Sequence, residues 1–166
     1  MRHAALTLAA VTLIANTALA PVTAAEPCAR NDEKQGFDVA SLKSELMVIA
    51  IACQAQPRYN EFVVRYKTEL QADERALNRY FARSAGRHAQ ERHDNYITNL
   101  ANTQSEEGVR QGTLFCPQHL PLFDEVMALK TVRELPAYAQ GKALAQPIAI
   151  VECGDPKRKM RTASDK

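Results

Sequence analysis

Four cysteines constrain the fold of this chain more strongly than any other feature of its sequence. They are Cys28, Cys53, Cys116 and Cys153, and the nearest two are 25 positions apart. That spacing excludes the Cys-x-x-Cys patterns of redox exchange, zinc binding and haem attachment. An even number of widely separated cysteines behind an apolar N-terminal segment is typical of an exported protein. We therefore predict two disulfide bonds with a structural role.

Four cysteines can pair in three ways, and the surroundings of each cysteine favour one of them. Cys53 ends a long apolar stretch and Cys116 follows two apolar residues, so both are expected to reach the core. Cys28 and Cys153 lie in irregular segments near the two chain ends, which are often close together in a folded domain. We predict the pairs Cys53 with Cys116 and Cys28 with Cys153.

The first 25 residues have the pattern of a secretory signal peptide. Arg2 supplies the positive start, residues 4–15 form an apolar run, and small residues follow it. The run is shorter than the ~20 residues that cross a bilayer, so we expect cleavage after Ala24 or Ala25. The predicted organisation is a signal peptide at 1–25, a single domain at 26–156 and a basic, disordered tail at 157–166. The expected location is the periplasm or the exterior.

Composition limits the class of function. Of the 166 residues, 46% are hydrophobic and 24% are charged, which is typical of a globular domain and not of a disordered chain. Lysine and arginine number 21 against 19 acidic residues. A balance so close to neutral lacks the clustered basic excess of a nucleic-acid-binding protein. No nucleic-acid partner is expected, and no second apolar stretch could span a membrane.

From residue 38 onward the hydrophobic pattern is helical. Leu42, Leu46 and Ile49 share one helical face with Cys53, and Asp38 or Ser41 is the predicted N-cap. Residues 46–53 are apolar on every side, which predicts a central, surrounded helix.

Pro57 is predicted to end that helix and to open the next. Apolar residues then recur at helical spacing from Tyr59 to Leu70 and continue to a stop near Gly86. The pattern fits one long helix or two with a break near residues 71–73.

Further helices are predicted around Tyr96, over residues 109–116, and from Leu122 to near Leu135. Only residues 148–151 have β character. The predicted fold is all-α: an antiparallel bundle of five or six helices joined by two disulfides, with a short extended segment near the C-terminus.

The densest group of residues with catalytic or metal-binding side chains is His88, Glu91, His93 and Asp94. His93 is five residues from His88, so the two histidines do not share a helical face as a zincin site requires. The acidic residues Glu45, Glu61, Glu69, Asp73 and Glu74 all fit exposed helix positions. No catalytic, cofactor-binding or metal-binding residue is assigned, and no cofactor is expected.

Two sets of residues are candidates for binding. Tyr59, Phe62 and Tyr66 share one helical face and could line a ligand groove between helices. A basic group in the tail could make weak contact with an anionic surface. Its members are Lys157, Arg158, Lys159 and Arg161.

Several short stretches between residues 38 and 120 together carry a resemblance. They are the run Ser41 to Met47 leading to Cys53, the segment Arg58, Tyr59 and Asn60 with Phe62 and Val63, and the segment Leu100, Ala101 and Asn102 with Cys116. On these residues the chain resembles a family of small exported α-helical proteins of alphaproteobacteria. The resemblance implies a bacterial periplasmic setting and implies no activity.

The sequence therefore favours a non-enzymatic periplasmic protein that binds a partner. The partner would be an envelope component, a client protein, or an enzyme or toxin that it inhibits. One alternative is a periplasmic hydrolase that uses carboxylates or His88, Glu91 and His93. Another is a helical protein that binds a small apolar ligand through the tyrosine-bearing face.

Overall fold

The computed structural model describes residues 27–154, and this part of the chain contains seven α-helices. They are α1 (Asn31–Ala52), α2 (Gln56–Arg65), α3 (Lys67–Ala85), α4 (Ala89–Gln111), α5 (Phe115–His119), α6 (Pro121–Met127) and α7 (Leu135–Gln140). Short 3₁₀ segments precede α4, α5 and α7. The predicted all-α class is confirmed. None of the helices between residues 27 and 154 is long and apolar enough to cross a membrane.

Helix α1 is the centre of the molecule and packs against α2, α3, α4 and α7. It begins seven residues before the predicted Asp38, because the Glu33 carboxylate accepts a hydrogen bond from the Arg30 backbone N–H at 2.8 Å. Such a bond satisfies one of the amides left free at a helix start. Asp38 and Ser41 were wrong as caps: both are buried inside the helix.

The second helical pattern forms two helices, one of the two alternatives that the sequence left open, and the break lies at Tyr66, earlier than residues 71–73. Pro57 lies in the first turn of α2 as expected, and α3 ends at Ala85 before Gly86. Tyr66 is fully buried, and its hydroxyl donates to the Val126 carbonyl at 2.5 Å. The break therefore lies where a tertiary contact fixes the chain, which local periodicity does not reveal.

Helix α4 is longer than the sequence predicts, and the separate helix at 109–116 was wrong. Gly108 stays helical because the Phe115 ring packs on it: a Cβ there would lie 3.2 Å from the ring. The chain turns instead at Gly112, where φ is +57°. The predicted helix end near Leu135 was also wrong, because α6 ends at Met127 and Pro136 lies in the first turn of α7.

The described residues form two hydrophobic clusters, and each includes residues of α1. The larger contains the C-terminal half of α1 with residues of α2, α6 and α7. The smaller is aromatic: the Phe37 ring makes edge contacts with Tyr80 and Tyr96, at centroid distances of 4.8 and 5.0 Å. Such edge-to-face pairs contribute ~0.5–1.5 kcal/mol each beyond their buried area.

Both predicted disulfides are confirmed. Cys28 is bonded to Cys153 and Cys53 to Cys116, with Cα atoms 4.9 and 5.6 Å apart. Next to the first bond, Ala29 pairs with the extended segment that precedes Cys153. Its N–H donates to the Val151 carbonyl and its carbonyl accepts from the Cys153 N–H, each at 2.8 Å. The two ends of the described chain are therefore joined both covalently and by backbone hydrogen bonds.

Candidate functional site

A cavity of about 120 Å³ lies between α1 and α3, with α2 and α4 closing its sides. Its wall is mainly apolar and includes Val39, Met47, Leu70 and Ile97. Tyr59 reaches the cavity from α2.

The cavity exists because α1 presents small residues to α3. Gly36, Ala40 and Ser44 recur every four residues and all line the cavity, so they share one helical face. At Gly36 the two helices are in contact: a Cβ there would lie 2.9 Å from the Asp73 carbonyl oxygen and 3.1 Å from the Leu77 nitrogen. Beyond that contact, the small side chains at 40 and 44 leave the gap between the helices unfilled.

Two residues that line the cavity each have a buried polar atom without a hydrogen-bond partner among the described residues: Asp73 Oδ2 and Ser44 Oγ. Asp73 is 9% exposed and Ser44 is 7% exposed. Buried polar groups in proteins are almost always hydrogen-bonded. Two residues that line the same cavity are exceptions to this rule.

Burial raises the pKa of Asp73 to about 6, and the nearby negative charge of Glu69 adds to the effect. At neutral pH the carboxyl is therefore mainly ionised, although water has little access to it. The neighbouring Glu74, also on the wall, accepts a hydrogen bond from the Asn78 amide at 3.3 Å, and its Oε1 lies 2.9 Å from His93 Nε2. Lys43 lines the exposed rim. Acidic groups thus outnumber basic ones around the cavity.

Asp73 and Glu45 correct the expectation that all the singled-out acidic residues are exposed, since both are buried. Glu45 lies 3.1 Å from His119 Nδ1, and burial raises its pKa against the opposing effect of His119. His119 Nε2 is 2.8 Å from Gln111 Oε1, while the Gln111 amide nitrogen donates to Glu107. Both ring nitrogens therefore face acceptor oxygens, and the pair of buried Glu45 and partly exposed His119 connects α1 to α5.

The predicted histidine cluster divides into two separate pairs. His88 Nδ1 lies 3.2 Å from Glu91 Oε2 on the exposed surface. His93 is buried and contacts Glu74 of α3 and Asp94, the latter at 3.2 Å from Nδ1. Within residues 27–154 no group of three or more His, Cys, Asp or Glu side chains could hold a metal ion.

The predicted tyrosine-bearing groove is not formed as one surface. Phe62 and Tyr66 are fully buried in the larger core cluster, whereas Tyr59 is half-buried and lines the cavity. One of the three predicted residues therefore reaches the candidate site. The other binding candidates, Lys157, Arg158, Lys159 and Arg161, lie outside the described residues, as does the predicted signal peptide.

A second concave surface lies between the C-terminal halves of α1 and α4. It measures about 430 Å³ and is flanked by Ile51 and Val109, which are 65% and 81% exposed. Among its lining residues, all of which are described, none has a buried polar atom without a partner. This groove has a larger volume than the cavity, and its lining residues have no buried polar atom like those of Asp73 and Ser44.

Asp73 and Ser44 were missed as site residues by the sequence analysis. The signal that could have found them is the Gly36, Ala40, Ser44 stripe, because small residues at a spacing of four permit close helix packing. Comparison with protein-family models, with curated proteins and with solved structures finds no match to this chain. The function is therefore argued from the geometry of the cavity.

Proposed function

We propose that this chain is an extracytoplasmic protein that binds a small organic ligand with an apolar body and a polar head group. The observation that carries the proposal is the pair of buried atoms without partners, Asp73 Oδ2 and Ser44 Oγ, on two residues that line a mainly apolar cavity. An unsatisfied buried polar group costs ~1–3 kcal/mol. A ligand that supplies the missing partners would recover that free energy on binding.

The size of the cavity supports a small ligand. Its volume of about 120 Å³ is close to the ~150 Å³ of an engineered apolar cavity that binds benzene. Sites between the helices of a bundle are a common place for ligands. Because the wall is apolar and the unsatisfied atoms are few, affinity would come from the apolar body and orientation from the head group.

The proposed location rests on the disulfides. Two bonds between distant cysteines form and persist in an oxidising compartment, such as the periplasm or the exterior. Cleavage of residues 1–25 stays a prediction from the sequence. Intact-mass measurement of the exported protein would check it, because cleavage after Ala24 or Ala25 gives two defined masses. A protein partner or envelope component, and a hydrolase, also stay predictions without a comparable structural observation in their support.

Blocking the cavity tests the proposal. Ala40→Phe should fill it, whereas Ala82→Phe adds the same ring to an exposed position on α3 and is the matched control. We expect benzene and n-butanol to shift the backbone amide resonances of residues around the cavity in the wild type and in Ala82→Phe. These shifts should be absent in Ala40→Phe. Equal shifts in both variants, or none in the wild type, would contradict the proposal.

A further inference from the structure

We propose that the cavity selects a small organic monocation, namely a primary ammonium group on a short aliphatic body, with the ammonium held between Asp73 and Ser44. This inference rests on the proposed function and names its ligand class. Two lining residues carry a carboxylate oxygen and a hydroxyl oxygen that are buried and have no hydrogen-bond partner among the described residues. An ammonium group is a compact cation with three N–H donors and no acceptor, so it complements this pair.

The charge around Asp73 favours a cation over an anion or a neutral ligand. Glu69 and Glu74 lie on the same helix, and Glu69 is near enough to act on the Asp73 carboxyl through its charge. His93 reaches this region from α4 but contacts Glu74. Among the lining residues, α1 contributes one charged side chain, Lys43 at the exposed rim, and α2 contributes only the uncharged phenol of Tyr59. An anionic head group would meet these carboxylates in a site of low dielectric.

Desolvation makes the interaction selective. A hydrogen bond between charged groups is roughly twice as strong as one between neutral groups. The Asp73 carboxylate is already removed from water in the folded protein, so a ligand does not have to displace its hydration shell. A neutral alcohol of the same shape would use the apolar wall equally but would leave the carboxylate charge uncompensated.

Three probes of equal length test the inference in the oxidised protein: n-butylammonium, n-butanol and butyrate. Isothermal titration calorimetry should give n-butylammonium an affinity at least about tenfold higher than that of n-butanol, with butyrate the weakest. Asp73→Asn should remove the preference for n-butylammonium and leave n-butanol binding within about twofold. Glu69→Gln is the matched control, because it removes a nearby charge and keeps the carboxylate of Asp73; the preference should persist.

Acidification supplies a second readout. The Asp73 carboxyl has a pKa of about 6, so at pH 5 only about a tenth of the molecules carry the charge. Affinity for n-butylammonium should therefore fall about tenfold between pH 7.5 and pH 5, whereas that for n-butanol should change little. In Asp73→Asn the affinity for n-butylammonium should lose this dependence.

The outcomes separate this inference from the proposed function. Equal affinities for n-butylammonium and n-butanol would overturn the monocation inference and leave the small-ligand function intact. Failure of all three probes and of benzene to bind would overturn both. The ammonium group of Lys43 could itself occupy the site, and Lys43→Gln tests this. We expect n-butylammonium to bind this variant as tightly as the wild type or more tightly. Weaker binding in that variant would contradict the inference.

Discussion

Asp73 is the residue at which this molecule departs most clearly from the rules for a well-packed helical core. It is buried on the face of α3 that lines the cavity, and its carboxyl has no hydrogen-bond or ion-pair partner among residues 27–154. Other buried acidic side chains do have hydrogen-bond or ion-pair partners. Glu33 accepts from the Arg30 amide and from Arg83, and Asp38 pairs with Lys34. Asp73 alone among these lacks a partner, so its burial imposes a cost on folding that a purely structural residue would not.

That cost should appear in the pH dependence of stability. The folded-state pKa of Asp73 is about 6, above the ~3.9 of an unfolded aspartate. Between these values the folded state binds more protons, so the contribution of this group to the free energy of unfolding increases as pH falls from 7 to 4. The contribution is up to about 3 kcal/mol. Asp73→Asn should therefore be more stable than the wild type at pH 7.5 and lose about two-thirds of that advantage by pH 4.5.

Urea unfolding at the two pH values checks this difference. Asp32→Asn is the control of opposite sign, because the hydrogen bond from Arg79 lowers the pKa of Asp32. Its removal should not stabilise the protein at pH 7.5. A difference between the wild type and Asp73→Asn that is the same at both pH values would contradict the assignment of a raised pKa to Asp73.

At the scale of the elements, the contact between α1 and α3 decides where the cavity lies. The helices run antiparallel, as Asp32 contacts Arg79 while Gly36 lies against Asp73 and Leu77 further along. The close approach at Gly36 fixes the distance between the axes at one end, and the small side chains that follow determine the space left over. A change at Gly36 therefore acts first on the packing of α1 against α3, and through it on the cavity that Gly36 also lines.

Gly36→Ala should destabilise the protein. Its new Cβ would meet backbone atoms of α3, which cannot rotate away as a flexible side chain could. We expect a net loss of about 1–2 kcal/mol, since overpacking costs ~1–3 kcal/mol and alanine regains up to ~1 kcal/mol of helix propensity. Gly141→Ala is the matched control, because its Cβ would make only ordinary contacts, the nearest at 3.4 Å. Thermal unfolding of both variants measures the difference; equal melting temperatures would count against a tight contact at Gly36.

The elements also show which parts of the fold the sequence could predict. Pro57 and Gly86 mark helix boundaries through local backbone chemistry, and both boundaries were predicted. The break at Tyr66 and the unbroken helix through Gly108 depend on contacts with residues distant in the sequence or beyond the next turn. Val126 supplies the first contact and Phe115 the second. Local periodicity does not contain that information, so both were missed.

The candidate site was harder to predict for the same reason. Tyr59 was recognised because aromatic residues at helical spacing are visible in the sequence. Asp73 was assigned to an exposed helix position, although Leu70, Ala76 and Leu77 lie three or four residues from it on the same helical face; the packing of α1 against that face buries it. The contact between α1 and α3 thus places Asp73, which was predicted to be exposed, in the wall of the cavity.

For the whole molecule, the two disulfides join different parts of the fold. The Cys53–Cys116 bond joins α1 to α5 next to the larger core cluster, whereas Cys28–Cys153 joins segments outside the helices. The end that Cys28 holds also has other attachments. The Arg83 guanidinium donates to the Cys28 carbonyl at 2.8 Å, and Tyr80 donates to the Pro27 carbonyl at 3.1 Å. Loss of this bond would therefore leave the N-terminal segment partly held.

These attachments lead to a prediction for the variant Cys28→Ala/Cys153→Ala. The chain-entropy estimate for a 125-residue separation is ~5 kcal/mol. We expect a loss of about 2–5 kcal/mol, because removing the bond frees the unfolded chain while the contacts of Arg83 and Tyr80 keep the segment in place in the folded state. Urea unfolding measures the loss. Hydrogen exchange should become faster at the Ala29 and Cys153-position amides, which donate across the two ends, and remain slow at amides around the cavity. Faster exchange throughout α1 and α3 would instead show that the terminal bond supports the whole bundle, and with it the candidate site.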